Sequence, residues 1–350
     1  MPDVIKPKVF TSKRKFPRGT EIIETIDGSL RELFFSRYPR LKGKISDADT
    51  RLQKFLDKNR KSGVWVYYPW ASKVVHSLPE DLYFELRTNR NKNLITKSEQ
   101  LKYRKSIVGV AGLSVGSSIV STLVITGGPK IMKIADFDSV EVSNLNRIRA
   151  KLTDVGMSKA FVAAREAWEV DPFLELEIWD KGISLKTIKS FIAGSPKLDI
   201  LIDEMDNVPL KIAARLICQA QRIPVVMATD NGDGVILDVE RFDLEPRRKI
   251  FHGLIKESEF DPEAMTRDRK EWLKAVKKII GVKYMTKRHV ESLKEIGRTL
   301  AGVPQIGTAA FIAGAAVAFA VRKIAVGEPL PSGRYLIDLE HSLSAGLRKL

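Results

Sequence analysis

A doubly wound α/β fold, with a mostly parallel sheet and helices on both faces, is what this sequence predicts. Three observations carry that expectation. Short apolar runs alternate with amphipathic stretches between residues 106 and 228, the pattern of buried strands joined by helical crossovers. The first run ends in a turn of small residues, Gly112-Leu-Ser-Val-Gly116-Ser117. The second ends in an acid, Asp136. Ligands of such sheets bind at the carboxyl ends of the strands, where these residues fall.

Residues 1–20 carry Lys6, Lys8, Lys13, Arg14, Lys15 and Arg18 among few apolar side chains, and read as a basic flexible tail. Residues 21–86 read as an N-terminal α+β extension, in which the aromatic run Trp65-Val-Tyr-Tyr-Pro-Trp70 is a core strand. The main domain is expected over 87–350. Its strands are expected at 106–111, 130–136, 174–179, 198–203 and 224–228, with helices at 117–126, 158–169, 187–193 and 208–222. Beyond Gly234 the pattern changes to a strand at 235–242, a charged helical insertion at 261–300, an apolar helix, and a last strand at 335–339. The apolar stretch 306–321 has 16 residues. A membrane span needs about 20, so a buried helix is expected and no membrane partner.

Composition narrows the class. The chain has 350 residues, 44% hydrophobic and 29% charged, which excludes a disordered or fibrous protein. Its one cysteine, Cys218, excludes a disulfide framework and a multi-cysteine metal site, so no structural zinc is expected. Cys218 stands in Arg215-Leu-Ile-Cys-Gln-Ala and reads as a buried thiol. No apolar segment of secretory type follows Met1, and a cytoplasmic location is expected. The formal net charge is +16, and residues 1–105, with 24 Lys+Arg against 12 Asp+Glu, supply most of it. Such a segment suits a polyanion such as RNA, or is simply solvated.

The turn at Gly112 lets backbone N–H groups approach a phosphate at a helix N-terminus. Asp136 follows Gly112 by 24 residues, at the place where the acid of a Rossmann-like fold grips ribose hydroxyls. The same turn also spells G-x-S-x-G, the nucleophile elbow of hydrolases, for which His289 or His341 would have to serve as base. That alternative leaves the next motif unexplained. In Asp136-Phe-Asp138-Ser-Val-Glu-Val-Ser143-Asn144-Leu-Asn146-Arg147, carboxylates, an amide and a guanidinium converge after a nucleotide-type strand. Arg147 suits phosphate oxygens, and Asp136 and Asp138 suit ribose or hydrated magnesium.

With these residues in view, the chain resembles the ThiF/MoeB group of ubiquitin-activating-enzyme-like adenylyltransferases. The D-x-D-x-V-x-x-S-N-L-N-R run carries the resemblance, with Gly156-Met-Ser-Lys159, Asp203-Glu-Met-Asp206-Asn207 and Arg87-Thr-Asn-Arg90. The resemblance implies an ATP site of Gly112, Ser114, Gly116, Asp136, Asp138, Asn144, Arg147, Lys159 and Asn207. Catalytic roles would fall to Arg147, Lys159 and Asp206, with Arg90 reaching a partner subunit's ATP in a homodimer and Asp206 holding Mg2+. Two departures stand out: Ser114, Val115 and Ser117 occupy places where the family's loop has glycines, and the C-x-x-C zinc pairs are absent. The text at Phe242-Asp-Leu-Glu and Phe251-His-Gly is similar to a subgroup of stand-alone ThiF-like proteins related to nitroreductase–ThiF fusions.

The function so implied is ATP-dependent activation of a carboxylate as an acyl-adenylate, without a catalytic cysteine. The substrate it implies is a protein or peptide carboxylate whose identity the sequence leaves open. The alternatives are a tRNA-modifying dehydratase, whose text Asp206-Asn-Val-Pro-Leu-Lys211 resembles, and a non-catalytic nucleotide-binding regulator.

Overall fold

A computed structural model describes residues 6–255 and 269–344. They form two compact units, Met1–Gln100 with Trp168–Phe173, and Leu101–Ala167 with Leu174–Leu350.

The first unit holds a four-stranded sheet of β1 (Lys8–Phe10), β2 (Glu21–Glu24), β3 (Val64–Tyr68) and β4 (Lys73–Ser77), in the order β1-β3-β4-β2. Helices α1 (Ile26–Arg37), α2 (Thr50–Arg60) and α3 (Glu80–Arg87) accompany it. Asp49 caps α2 by accepting from the Arg51 amide at 2.9 Å. Leu30, Phe34, Leu52, Leu56 and Leu78 bury one another between the helices. The aromatic run is a core strand: Val66 and Tyr68 are buried, and Trp65 stacks on His76 with ring centroids 4.1 Å apart. Residues 168–173 join this unit through Trp70, which donates to Glu169 at 2.7 Å, and Arg87, which donates to Asp171 at 2.9 Å.

The expectation of a tail through residue 20 is corrected here. Lys8–Phe10 is the edge strand β1, paired antiparallel with β3. The open edge of β3 supplies backbone partners, and Phe16 packs between Phe10 and Tyr67, at 6.2 and 5.6 Å between centroids. Two phenylalanines in a basic stretch were enough to anchor it.

The second unit holds a seven-stranded sheet. Its strands are β5 (Ile107–Ala111), β6 (Ile131–Ala135), β7 (Glu175–Trp179), β8 (Ile200–Asp203), β9 (Val225–Asn231), β10 (Gly234–Glu240) and β11 (Gly333–Ile337). The order is β11-β10-β9-β8-β5-β6-β7. The five strands from β9 to β7 are parallel, and β10 and β11 extend the sheet antiparallel. Helix α4 (Lys97–Lys105) leads into β5, and α5 (Val115–Ile125), α6 (Lys159–Val170), α7 (Ile188–Ala193) and α8 (Val208–Gln221) are the crossovers. Ala111, Leu201, Val225 and Met227 share one core with Phe191, Ile212 and Cys218 of α7 and α8.

Past β10 come α9 (Arg269–Ile280), α10 (Lys287–Leu293), α11 (Gly307–Val326) and α12 (Leu339–Ser344). The expected helical insertion is thus broken in two, and its residues 261–268 lie outside the described ones. Leu339, placed at the end of the last strand by the sequence, instead opens α12. Helix α11 packs on α5, β9 and β10, burying Ala309, Ala313, Val317 and Val321. Its Gly314 lets the helices touch, since a Cβ there would lie 2.8 Å from the Ser118 carbonyl oxygen. The helix has the length and composition of a membrane span, but its buried face is spent on this core.

Candidate functional site

The carboxyl ends of β5, β6, β8 and β9 and the loops that follow them carry most of the expected site residues. After β5 the chain turns at Gly112, whose φ of +94° is one that side chains disfavour. A Cβ there would sit 2.3 Å from the Glu204 carbonyl oxygen, so the turn needs glycine twice over. Asp136, at the end of β6, accepts from the Leu113 amide at 2.6 Å with one oxygen and from the Asp138 amide at 2.8 Å with the other. The residue expected to grip ribose is therefore also the tie between the glycine turn and its neighbour loop. Burial raises its carboxyl above the usual range, against the pull of those two amides and Lys159.

Ser114 stands at the N-cap of α5, but its hydroxyl makes no capping bond and accepts from Arg147 Nε at 3.3 Å. A guanidinium takes no proton, so this serine lacks the base that a hydrolytic nucleophile needs. Arg147 also donates to the Ser143 carbonyl at 3.2 Å and to Asn146 Oδ1 at 2.9 Å. Asn144 is buried and locks the loop, accepting from the Glu141 amide at 3.0 Å. Lys159 opens α6, is 8% exposed, and donates through Nζ to Asp138 at 2.8 Å. Asp138 and Lys159 thus neutralise each other. Asp206 follows β8 and is exposed. Asn207 caps α8, accepting from the Leu210 amide at 3.0 Å. Arg90 lies in the first unit, exposed in the 3-10 turn Asn89–Asn91. Gly116 lies buried within the first turn of α5.

Sequence reasoning missed Asp230 and Gln305. Asp230 sits near the end of β9 and is 8% exposed. Its Oδ2 accepts from Gln305 Nε2 at 3.1 Å, while its buried Oδ1 has no partner among the described residues. Burial pushes its carboxyl up to about 6, against Gln305 and Arg147 and with Asp206. Arg147 feels both acids: burial lowers its pKa, and Asp230 and Asp206 oppose that. Gln305 in turn accepts through its main-chain carbonyl from Asn146 Nδ2 at 2.8 Å. An acid ending an apolar strand was the signal, the one that marked Asp136. Here the following Asn231-Gly-Asp-Gly234 text reads as a hairpin turn and hides it.

Beneath the site lies a buried charge network. Arg215, at 0% exposed, donates to Asp203 and, at 2.6 Å, to Glu240, and its guanidinium lies 3.8 Å from the Phe251 ring centroid. Glu240 also accepts from the Phe251 amide at 2.6 Å. Cys218 lies alongside, fully buried, and burial raises its thiol pKa.

The residues present fit a nucleotide with a divalent cation. A glycine turn at a helix N-terminus and two cations, Arg147 and Lys159, suit phosphate oxygens. Asp206 is exposed, and Asp230 keeps an orphaned buried oxygen. Magnesium on a nucleotide needs only one or two carboxylates beside the phosphates.

The chain is 38% identical over 279 residues to uncharacterized protein MT1398 of Mycobacterium tuberculosis, matching 80% of this chain and 38% of that one. It is 28% identical over 166 residues to ubiquitin-like modifier-activating enzyme 5 of Drosophila melanogaster, covering 44% of this chain and 39% of that one. The chain therefore spans well under half the length of these relatives. Escherichia coli MccB, crystallised with MccA-N7isoASN, superposes with a TM-score of 0.50 at 15% identity, over 88% of this chain and 87% of that one, and shares the fold. The ThiF family model matches residues 87–342, which span the glycine turn, the Asp136–Arg147 loop, Lys159 and Asp206, and the chain belongs to the ThiF family.

Proposed function

We propose that this protein activates a carboxylate with ATP, forming an acyl-adenylate and releasing pyrophosphate, without a thioester step. The observation that supports this best is the gathering of the Gly112 turn, Arg147, Lys159 and Asp206 around the strand ends. The substrate carboxylate attacks the α-phosphorus in line, and pyrophosphate leaves. The chain's part is positioning and charge stabilisation. The amides after Gly112 receive phosphate oxygens. Arg147, already on the lip of the turn through Ser114, swings onto them, and Lys159 exchanges Asp138 for phosphate. Asp136 keeps one lone pair of each oxygen for the ribose. Asp206 would hold Mg2+, which would offset charge on the phosphates. Arg90 contributes from a second copy in a homodimer. Cys218 takes no part, because a buried thiol with a raised pKa supplies no thiolate.

The activated group is a protein or peptide carboxylate in this reading. A carboxylate carried on tRNA, as in a dehydratase, is favoured by one observation in the first unit. Its ion pairs occupy Asp27, Asp47, Asp49 and Glu85, leaving the cations of residues 6–18 without acidic partners among the described residues.

ATP–pyrophosphate exchange with offered peptide and RNA carboxylates tests the reaction. Exchange is expected with one class. Tight ATP binding with no exchange under any of them would instead mark a regulator. If RNA is the substrate, log affinity falls steeply and linearly with log salt; salt-insensitive binding would remove RNA from consideration.

A further inference from the structure

We infer that Asp230 is a second carboxylate ligand of the divalent cation that accompanies the nucleotide, joining Asp206 across the neighbouring ends of β8 and β9. The inference rests on the nucleotide reading above and adds to it a residue that neither the motifs nor the family resemblance supplies.

Asp230 is nine-tenths buried, Gln305 fills one of its oxygens, and the other has no partner among the described residues. Burying a carboxylate oxygen unpartnered is costly, so native structures supply a partner or a ligand. The other acids buried along these strands are matched. Asp203 has Arg215 and Lys211, Glu240 has Arg215 and the Phe251 amide, and Asp238 has Arg334 and His252. Asp230 is the exception, and its surroundings belong to the site. The charges of Arg147 and Asp206 act on it, and Gln305 ties it to Asn146 of the motif loop.

The chemistry of the missing partner follows from charge. The Asp206 charge works against ionised Asp230, and the Arg147 guanidinium feels both acids. Once phosphate claims Arg147, both acids lose their counterion. A hard divalent cation, held by one or two carboxylates and by phosphate oxygens, answers that deficit and accepts oxygen donors alone. Gln305 then acts as a positioning residue that fixes the plane of the carboxyl.

The test is Mn2+ binding to the full chain in the presence of a non-hydrolysable ATP analogue, with free Mn2+ read by electron paramagnetic resonance. Analogue affinity is measured separately in excess chelator. For Asp230→Asn, a near-isosteric change, Mn2+ affinity is expected to fall by about tenfold or more, with analogue affinity in chelator unchanged. Asp206→Asn should behave alike, and Gln305→Ala should show a smaller loss of the same kind. Wild-type Mn2+ affinity in Asp230→Asn overturns the inference. So does a loss of analogue affinity in chelator that accounts for the whole effect, since Asp230 would then act on Arg147 and not on the cation. Should Asp230→Asn fail to fold, unchanged Mn2+ affinity in Gln305→Ala overturns it equally. Failure of wild type to bind the analogue at all sinks the nucleotide reading and this inference together. A loss with Asp206→Asn but none with Asp230→Asn sinks this inference alone.

Discussion

Two sets of acids in the second unit invite comparison. Under α8, Asp203 and Glu240 share Arg215, and on β10 Asp238 is paired with both Arg334 and His252. At the strand ends a few residues away, Asp230 keeps a free oxygen and Asp206 faces solvent. Both groups carry negative charge near the same sheet. The difference is satisfaction: charges matched inside the chain hold the fold, and charges left unmatched at its edge are available to a ligand. Asp203 and Asp230 also shift in opposite directions. Burial would raise Asp203, but Lys211 and Arg215 outweigh it and hold its carboxyl below the usual range. Asp203 therefore stabilises the fold above its unfolded pKa, and that stability is lost as pH falls through its lower folded value. Asp230 is pushed up to about 6. The folded state binds its proton more tightly, so its contribution is full below the unfolded pKa and lost as pH rises through about 6.

The sharpest break of the comparison is Arg215→Ala, which strands two buried carboxylates. A loss of about 3–5 kcal/mol in urea-unfolding stability is expected, and a loss under 1 would mean the network is not what holds α8. Next, Asp206→Ala should lower ATP–pyrophosphate exchange by about a hundredfold or more while leaving the unfolding midpoint in place. An equal loss of stability would move Asp206 into the structural set. Asp230→Asn should then gain about 1–2 kcal/mol in metal-free, nucleotide-free protein above pH 7. Below pH 4 the gain should vanish, because a protonated Asp230 is already neutral. A gain that persists in acid would refute the assignment. Smallest is Arg37→Ala in the first unit. Its two bonds to Glu85, at 2.7 and 2.8 Å, lie near the surface, and the loss should stay under about 1 kcal/mol and shrink in salt.

Much of the fold was legible. Apolar runs placed the five parallel strands within a residue or two at most boundaries: inner strands such as β5 and β8 are buried on both faces and nearly all apolar, while the outer β7 is half-buried and carries Glu175 and Glu177. Gly112 and Asp136 were legible for a related reason: a turn that must pass its neighbour's backbone, and an acid at a strand end, are local facts. The roles were less so. Asn207 turned out to cap α8, Lys159 to pair with Asp138, and Asp136 to brace the turn. Each residue type suited a nucleotide, and each already had an internal partner that spacing does not reveal. In the N-terminal stretch, charge composition masked the two phenylalanines that anchor β1.

Sequence alone determined the alternation of strands and helices and the positions of Gly112, Asp136, Arg147, Lys159 and Asp206. Periodicity and turn chemistry act between near neighbours, and those can be read directly. The tertiary structure decided which charges are matched. Asp230 and Gln305 stand 75 residues apart in the chain, Asp203 and Arg215 only 12, yet neither pairing follows from spacing. Whether a buried carboxylate finds a cation, an amide or nothing depends on which segments pack over it, and packing is a property of the whole fold.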